Sequence, residues 1–210
     1  RKYIHDNYCK QEQWDFRLGQ GVSARLAELL DRDAEKIALA YAMMLSLPGT
    51  PVIYYGDEFG KLNDQDYYRE QIKLTGKDDT RFLVRGRIDW EETEKLLQDK
   101  ENMHSRVFSA ITHMVNTRRN YPTFGRGSMD MLEVTDPEGN VNMSVMGYFR
   151  THTCNHILVL LNLSDQPQTI SLPTERLRTY DNDMLGQPVQ IDEEQNSMVL
   201  PPRGYFWFYV

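Results

Sequence analysis

Hydrophobic positions fall into two regimes along the chain. In the first, "AEKIALAYAMMLSLPG" (34–49) is rich in Ala, Leu and Met, follows a fair N-cap at Asp33 and meets a stop at Pro48-Gly49, which predicts a helix. The segment is apolar around most of its circumference and is expected to be buried on more than one side. After it, "TPVIYYGDEFG" places an apolar run, Val52 to Tyr55, between Pro51 and Gly56, the pattern of a strand covered on both faces. The opening "RKYI" also suits a short buried strand, so the order is strand, helix, strand, a βαβ unit. Between them, "WDFRLGQGVSARLAELLDRD" reads as a loop with short helical patches.

Residues 61–103 are charged and lack long periodicity, a functional or capping excursion between well-formed elements. A second helix follows in "SRVFSAITHMVNTRRNYP", where Val107, Ile111, Met114 and Val115 keep helical spacing and Pro122 marks the end. From about residue 129 the regime changes. "MLEVTDPEGNVNMSVMGYFR" reads as two strands around the turn Pro137-Glu138-Gly139-Asn140, and "HILVLLNLS", "QTISL" and "SMVLPPRGYFWFYV" continue with strands between turn residues. The expected organisation is an α/β part over 1–128 and a small antiparallel β-sandwich over 129–210.

Composition narrows the function classes. A net charge of −7 argues against a nucleic-acid partner, which would require a basic patch or stripe. No apolar run approaches the roughly 20 residues of a membrane helix, so no membrane partner is expected. Cys9 and Cys154 lie far apart, and His104, His113, His152 and His156 are scattered, so no metal-ligand spacing arises. The 12 Tyr and 3 Trp would suit stacking on sugars, with core packing as the commoner use of such side chains.

The candidate chemistry sits where strands are expected to end. His5-Asp6 and Asp57-Glu58 both follow predicted strands, and in a (β/α)8 barrel the reacting groups lie at the C-terminal ends of the strands. Asp57 and Glu58 fit better as loop caps and partners of a neighbouring arginine. Arg81, Arg85 and Arg87 could border a sugar site or simply be solvated. Trp90 and Tyr67-Tyr68 could stack on a sugar ring or pack in the loop.

"SLPGTPVIYYGDEFG" resembles the eighth barrel strand of the α-amylase family of glycoside hydrolases and transglycosidases, and "IHDN" resembles that family's final signature motif. "RVFSAITHMVNTRRNYPTFGRGS" is similar to its last barrel helix and exit, and "LVLLNLSDQP" to its C-terminal β domain. Within the family, "RLAELLDRDAEKIALAYAMMLSLPGTPVIYYGDE" is most similar to the trehalose synthase (maltose α-glucosyltransferase) branch, in which "RFLVRGRIDW" takes the place of an Arg-containing segment ending in Trp. Ile4 and Asn7 depart from the family pattern, and substrate choice and reaction outcome stay open.

The resemblance implies a chain holding the last two β/α units of a (β/α)8 barrel, strands seven and eight with their helices, followed by the β-sandwich. It implies a retaining enzyme acting on α-glucosides or malto-oligosaccharides, with nucleophile and acid on earlier strands that a missing N-terminal barrel segment would supply. Asp6 then matches the family's transition-state-stabilising carboxylate, His5 its sugar-binding partner, and Arg85 a further substrate contact. The chain alone is expected to be inactive. No organic cofactor is implied; calcium, frequent in the family, would have its ligands upstream. The expected compartment is the cytoplasm. The alternatives are an α-glucosidase or α-amylase segment, or a non-catalytic β domain for packing or carbohydrate binding.

Overall fold

The computed structural model describes residues 2–153, 155–173, 180 and 183–210. The first element is a helix, α1 (Lys2–Tyr8), where the sequence predicts a strand. A barrel strand satisfies its backbone only through neighbours on its edges, whereas a helix closes its own bonds. Here Asn7 Nδ2 and the Cys9 N–H return to the carbonyls of Tyr3 and His5 at 2.7 and 2.8 Å. The same reason accounts for residues 52–55, with which no strand pairs among the described residues. Val52, Tyr54 and Tyr55 are exposed there.

By its internal contacts the chain divides into two units, Arg1–Ile37 with Ile53–Ser109, and Ala38–Val52 with Ala110–Val210. In the first, the loop after α1 forms a small hairpin of β1 (Asp15–Phe16) and β2 (Gly21–Val22), followed by α2 (Leu26–Leu29). The charged excursion is more ordered than its pattern predicts. It holds α4 (Gln65–Thr75), a 3-10 turn (Thr80–Val84) and α5 (Trp90–Gln98). Their signal is capping rather than periodicity. Asp64, Asp79 and Asp89 accept from the N–H groups of Tyr67, Arg81 and Glu92, and Gly76 ends α4 in the left-handed region.

The long helices α3 (Ala34–Ser46) and α6 (Met103–Asn120) form where the sequence places them. Asp33 caps α3 through the N–H groups of Glu35 and Lys36, and Ile37, Ala38, Tyr41, Ala42 and Leu45 are buried along it. Val107, Ile111 and Met114 are buried on α6. Pro122 does more than end that helix: it starts α7 (Pro122–Arg126), where a missing N–H costs nothing.

The second unit carries the sheets. One sheet has the order β3 (Ser128–Leu132), β4 (Val145–His152), β5 (Asn155–Asn162), β9 (Tyr205–Tyr209), all antiparallel. The other has β6 (Gln168–Ser171), β8 (Ser197–Leu200), β7 (Gln190–Asp192), also antiparallel. Alternation puts Leu158, Leu160, Phe206 and Phe208 into one core with Ile170, Met198 and Leu200 of the second sheet. The opposite face of β9 sets Trp207 against Phe124 of α7, ring centroids 4.6 Å apart. Asn162, fully buried at the end of β5, donates to the carbonyls of Gln166 and Pro201 at 2.8 Å and fixes both following turns. No helix among the described residues is long and apolar enough to cross a membrane.

Candidate functional site

The site is built within the first unit. His5 and Asp6, adjacent on α1, approach to 3.8 Å between Nδ1 and Oδ1. His5 Nε2 lies 3.3 Å from Asp15 Oδ1, at ion-pair distance but without forming a hydrogen bond. Asp15 in turn accepts from the Gly19 N–H at 2.7 Å, which closes the β1–β2 hairpin. Asp15 and Phe16 open onto a hollow of about 790 Å³, whose far side is formed by Tyr68 of α4 and by Lys77 to Arg81. The size suits a small ligand.

Charge organises that hollow. Arg81 grips Asp79 through Nε at 2.8 Å and Nη2, and its guanidinium holds the Asp79 carboxyl at about 2. Arg17 and Arg81 both lie over the Phe16 ring, at 4.9 and 5.4 Å from its centroid. Tyr68 donates to Asp78, a bond that pushes its hydroxyl up to about 12 and keeps it protonated. Arg85 is exposed at the end of the 3-10 turn, its N–H bonded to the Phe82 carbonyl at 3.2 Å, and its charge adds to the lowering of Asp79.

Of the residues the sequence puts forward, His5 and Asp6 are together and His5 approaches Asp15 at the edge of the hollow, while no contact among the described residues brings Arg85 to it; none of the three lines it. Trp90 begins α5 and is 61 % exposed. Asp57 is held by Arg25, Nη1 to Oδ1 3.2 Å; burial pushes its carboxyl up against the pull of that arginine. His104 Nδ1 bonds the Phe59 carbonyl at 2.8 Å. No cluster of His, Cys, Asp or Glu among the described residues is arranged to hold a metal ion.

Sequence reasoning passed over Asp15, Phe16 and Arg25. Arg25 is 1 % exposed, just before α2. Nη1 donates to the Tyr55 carbonyl at 2.6 Å, and the guanidinium carbon lies 4.6 and 4.7 Å from the ring centroids of Tyr54 and Tyr55. Nε and Nη2 have no hydrogen-bond acceptor among the described residues, so the ring faces are what offsets their burial. Its only sequence signal is a basic residue opening an apolar helical patch, which is the ordinary look of a solvated one.

Comparison with known proteins agrees with this architecture. Residues 139–207 match the family described as Maltogenic Amylase, C-terminal domain. The trehalose synthase/amylase TreS of Mycobacterium tuberculosis is 29 % identical over 99 % of this chain, which spans 37 % of that protein's length. The trehalose synthase of Thermus thermophilus is 27 % identical over 99 % of this chain and is spanned to 23 %. The chain thus covers little more than a third of such relatives at most. Among solved structures, the debranching enzyme from Nostoc punctiforme superposes with a TM-score of 0.60 at 18 % identity, over 89 % of this chain and 33 % of its own. An α-amylase from H. orenii superposes with a TM-score of 0.58 at 19 % identity, over 89 % of this chain and 38 % of its own. Residues 139–207 thus carry a maltogenic-amylase C-terminal domain, and the chain is similar along nearly its whole length to trehalose synthases and shares its fold with enzymes of the α-amylase family.

Proposed function

We propose that this chain is the C-terminal part of a retaining enzyme acting on α-glucosides, with the interconversion of maltose and trehalose as its reaction. The observation that carries this reading is the alignment of 99 % of the chain with trehalose synthases. In the longer enzyme, residues 1–128 supply the last two β/α units of a (β/α)8 barrel and 129–210 the β-sandwich. Residues 2–5 and 52–54 take up strand pairing there, because upstream strands offer the edges they need, while Tyr55 at the end of that strand keeps its place on Arg25. The nucleophile and acid come from those upstream strands, about 5 to 5.5 Å apart as a retaining mechanism requires.

Asp6 is the carboxylate that stabilises the positively charged, flattened sugar ring. Its attraction grows as charge develops, so it lowers the barrier more than it tightens binding. His5 and Arg85 contact the same sugar, with Asp15 beside His5. The chemistry runs on carboxylates and needs no organic cofactor, and the reaction belongs in the cytoplasm. The chain by itself is inactive.

The test is product analysis of maltose with the full-length protein, its Asp6→Asn variant and the 210-residue chain. Trehalose from the first, a kcat reduced at least about 100-fold in the second and nothing from the third support the reading. Glucose as the only product favours a second reading, hydrolysis, consistent with the maltogenic amylase domain and with a cyclomaltodextrinase among the relatives. Activity in the chain alone overturns the missing-barrel argument.

A further inference from the structure

The segment Arg85-Gly86-Arg87 is exposed at both arginine side chains but fixed along its backbone. Tyr55 donates its hydroxyl to the Gly86 carbonyl at 3.2 Å, and Lys61 Nζ donates to the Arg87 carbonyl at 2.9 Å. Asp64 N–H donates to the Leu83 carbonyl at 2.8 Å. Gly86 is buried so tightly that a Cβ there would meet Asp64 Oδ2 at 2.1 Å, so the backbone can lie where it does only without a side chain. Tyr55 is 41 % exposed, and what fixes its ring is Arg25, stacked on it from the interior and bonded to its carbonyl. Burial raises the pKa of the Tyr55 hydroxyl, which therefore stays a donor through neutral pH.

We propose that Tyr55 is a positioning residue for Arg85: seated on Arg25, it holds the Gly86 carbonyl and thereby sets where the Arg85 guanidinium meets the substrate. The inference rests on the proposed role of Arg85 as a substrate contact. Arg85 itself stays free to reach a ligand, while its backbone pays no ordering cost on binding because the Tyr55 bond is already made. Loss of that bond lets the segment relax and shows as weaker binding of ground and transition states alike, a rise in KM with kcat unchanged.

The test is steady-state kinetics on maltose with the full-length protein as wild type, Tyr55→Phe, Arg85→Ala and the double variant, each with a melting curve. Tyr55→Phe removes one hydroxyl and leaves the ring on Arg25, so the fold is retained and Tm is unchanged. The expected result is a KM raised about three- to tenfold, the factor carried by one hydrogen bond, with kcat unchanged. Arg85→Ala raises KM further, and the double variant matches Arg85→Ala, because two residues acting through one contact are not additive. An unchanged KM in Tyr55→Phe beside an impaired Arg85→Ala overturns the positioning role alone, and so does full additivity. A normal Arg85→Ala removes the role of Arg85 and the inference with it. Wild-type protein inert towards maltose removes the proposed reaction, and the inference falls with that reading.

Discussion

Arg150 on β4 donates to the carbonyl of Ser46, the last residue of α3, across 104 residues of sequence. The same guanidinium donates to the carbonyls of Ser128, Thr123, Phe124 and Gly127 at 2.8 to 3.1 Å. Arg150 is fully buried and is satisfied by five carbonyl dipoles from two helix ends and a strand. Arg118 does the same nearby, donating to the carbonyls of Leu45, Leu47 and Gly49. Orphan carbonyls at a helix C-terminus carry partial negative charge, which explains cations there without carboxylates.

Replacing Arg150 by Met keeps much of the volume and strands those carbonyls. The expected cost is about 3 kcal/mol or more, the scale for a broken buried charged network. Arg150→Lys recovers only part of it, because an ammonium has three donors and no planar fork. Urea denaturation of the three proteins checks the order.

Two glycines near that cage behave oppositely. A Cβ on Gly127 would meet the Thr123 and Thr151 carbonyl oxygens at 2.5 and 2.7 Å, and backbone cannot step aside as a side chain can. Gly127→Ala is expected to destabilise by about 2 kcal/mol or more, as overpacking does. Gly125, inside α7, has nothing within 4 Å of such a Cβ. Gly125→Ala is expected to stabilise by up to about 1 kcal/mol through helix propensity. Thermal melts of both variants separate the cases.

Acid should weaken the first unit through two carboxylates. Hydrogen bonds from Lys10 and Lys36 hold Asp31 at about 2, and Arg81 holds Asp79 at about 2, each below the ordinary 3.8. A pKa depressed by folding gives stability that is complete above the unfolded value and lost as pH falls from about 4 through 2. Asp57 runs the other way: burial raises its pKa, so protonation relieves a cost. The urea midpoints of wild type and of Asp31→Asn or Asp79→Asn should differ at pH 6 and converge at pH 2. Both pairs are solvent-facing, so added salt narrows the gap at pH 6.

Asp89 caps α5 through the Glu92 N–H at 3.0 Å. Asp89→Ala should cost about 1 kcal/mol and Asp89→Asn much less, since Asn keeps the acceptor. Faster hydrogen exchange confined to 90–98 in the Ala variant is the expected signature; uniform acceleration along the chain would place the effect elsewhere.

What the sequence by itself determined is the part of the molecule whose hydrogen bonds close within a few residues or whose alternation marks a buried face. The helices α3 and α6 and the strands β5 and β9 belong there. The capped helices of 61–103 were equally local, yet hidden, because Asp64, Asp79 and Asp89 carry the signal and periodicity does not. Only the tertiary structure decided what depends on remote partners. Residues 2–8 are a helix and 52–55 a segment unpaired among the described residues, because a strand is made by its neighbours. Arg25 and Arg150 look like surface cations in sequence and lie buried, since their acceptors come from 30 and 104 residues away. A buried charge is legible only once the dipoles that compensate it have been brought around it.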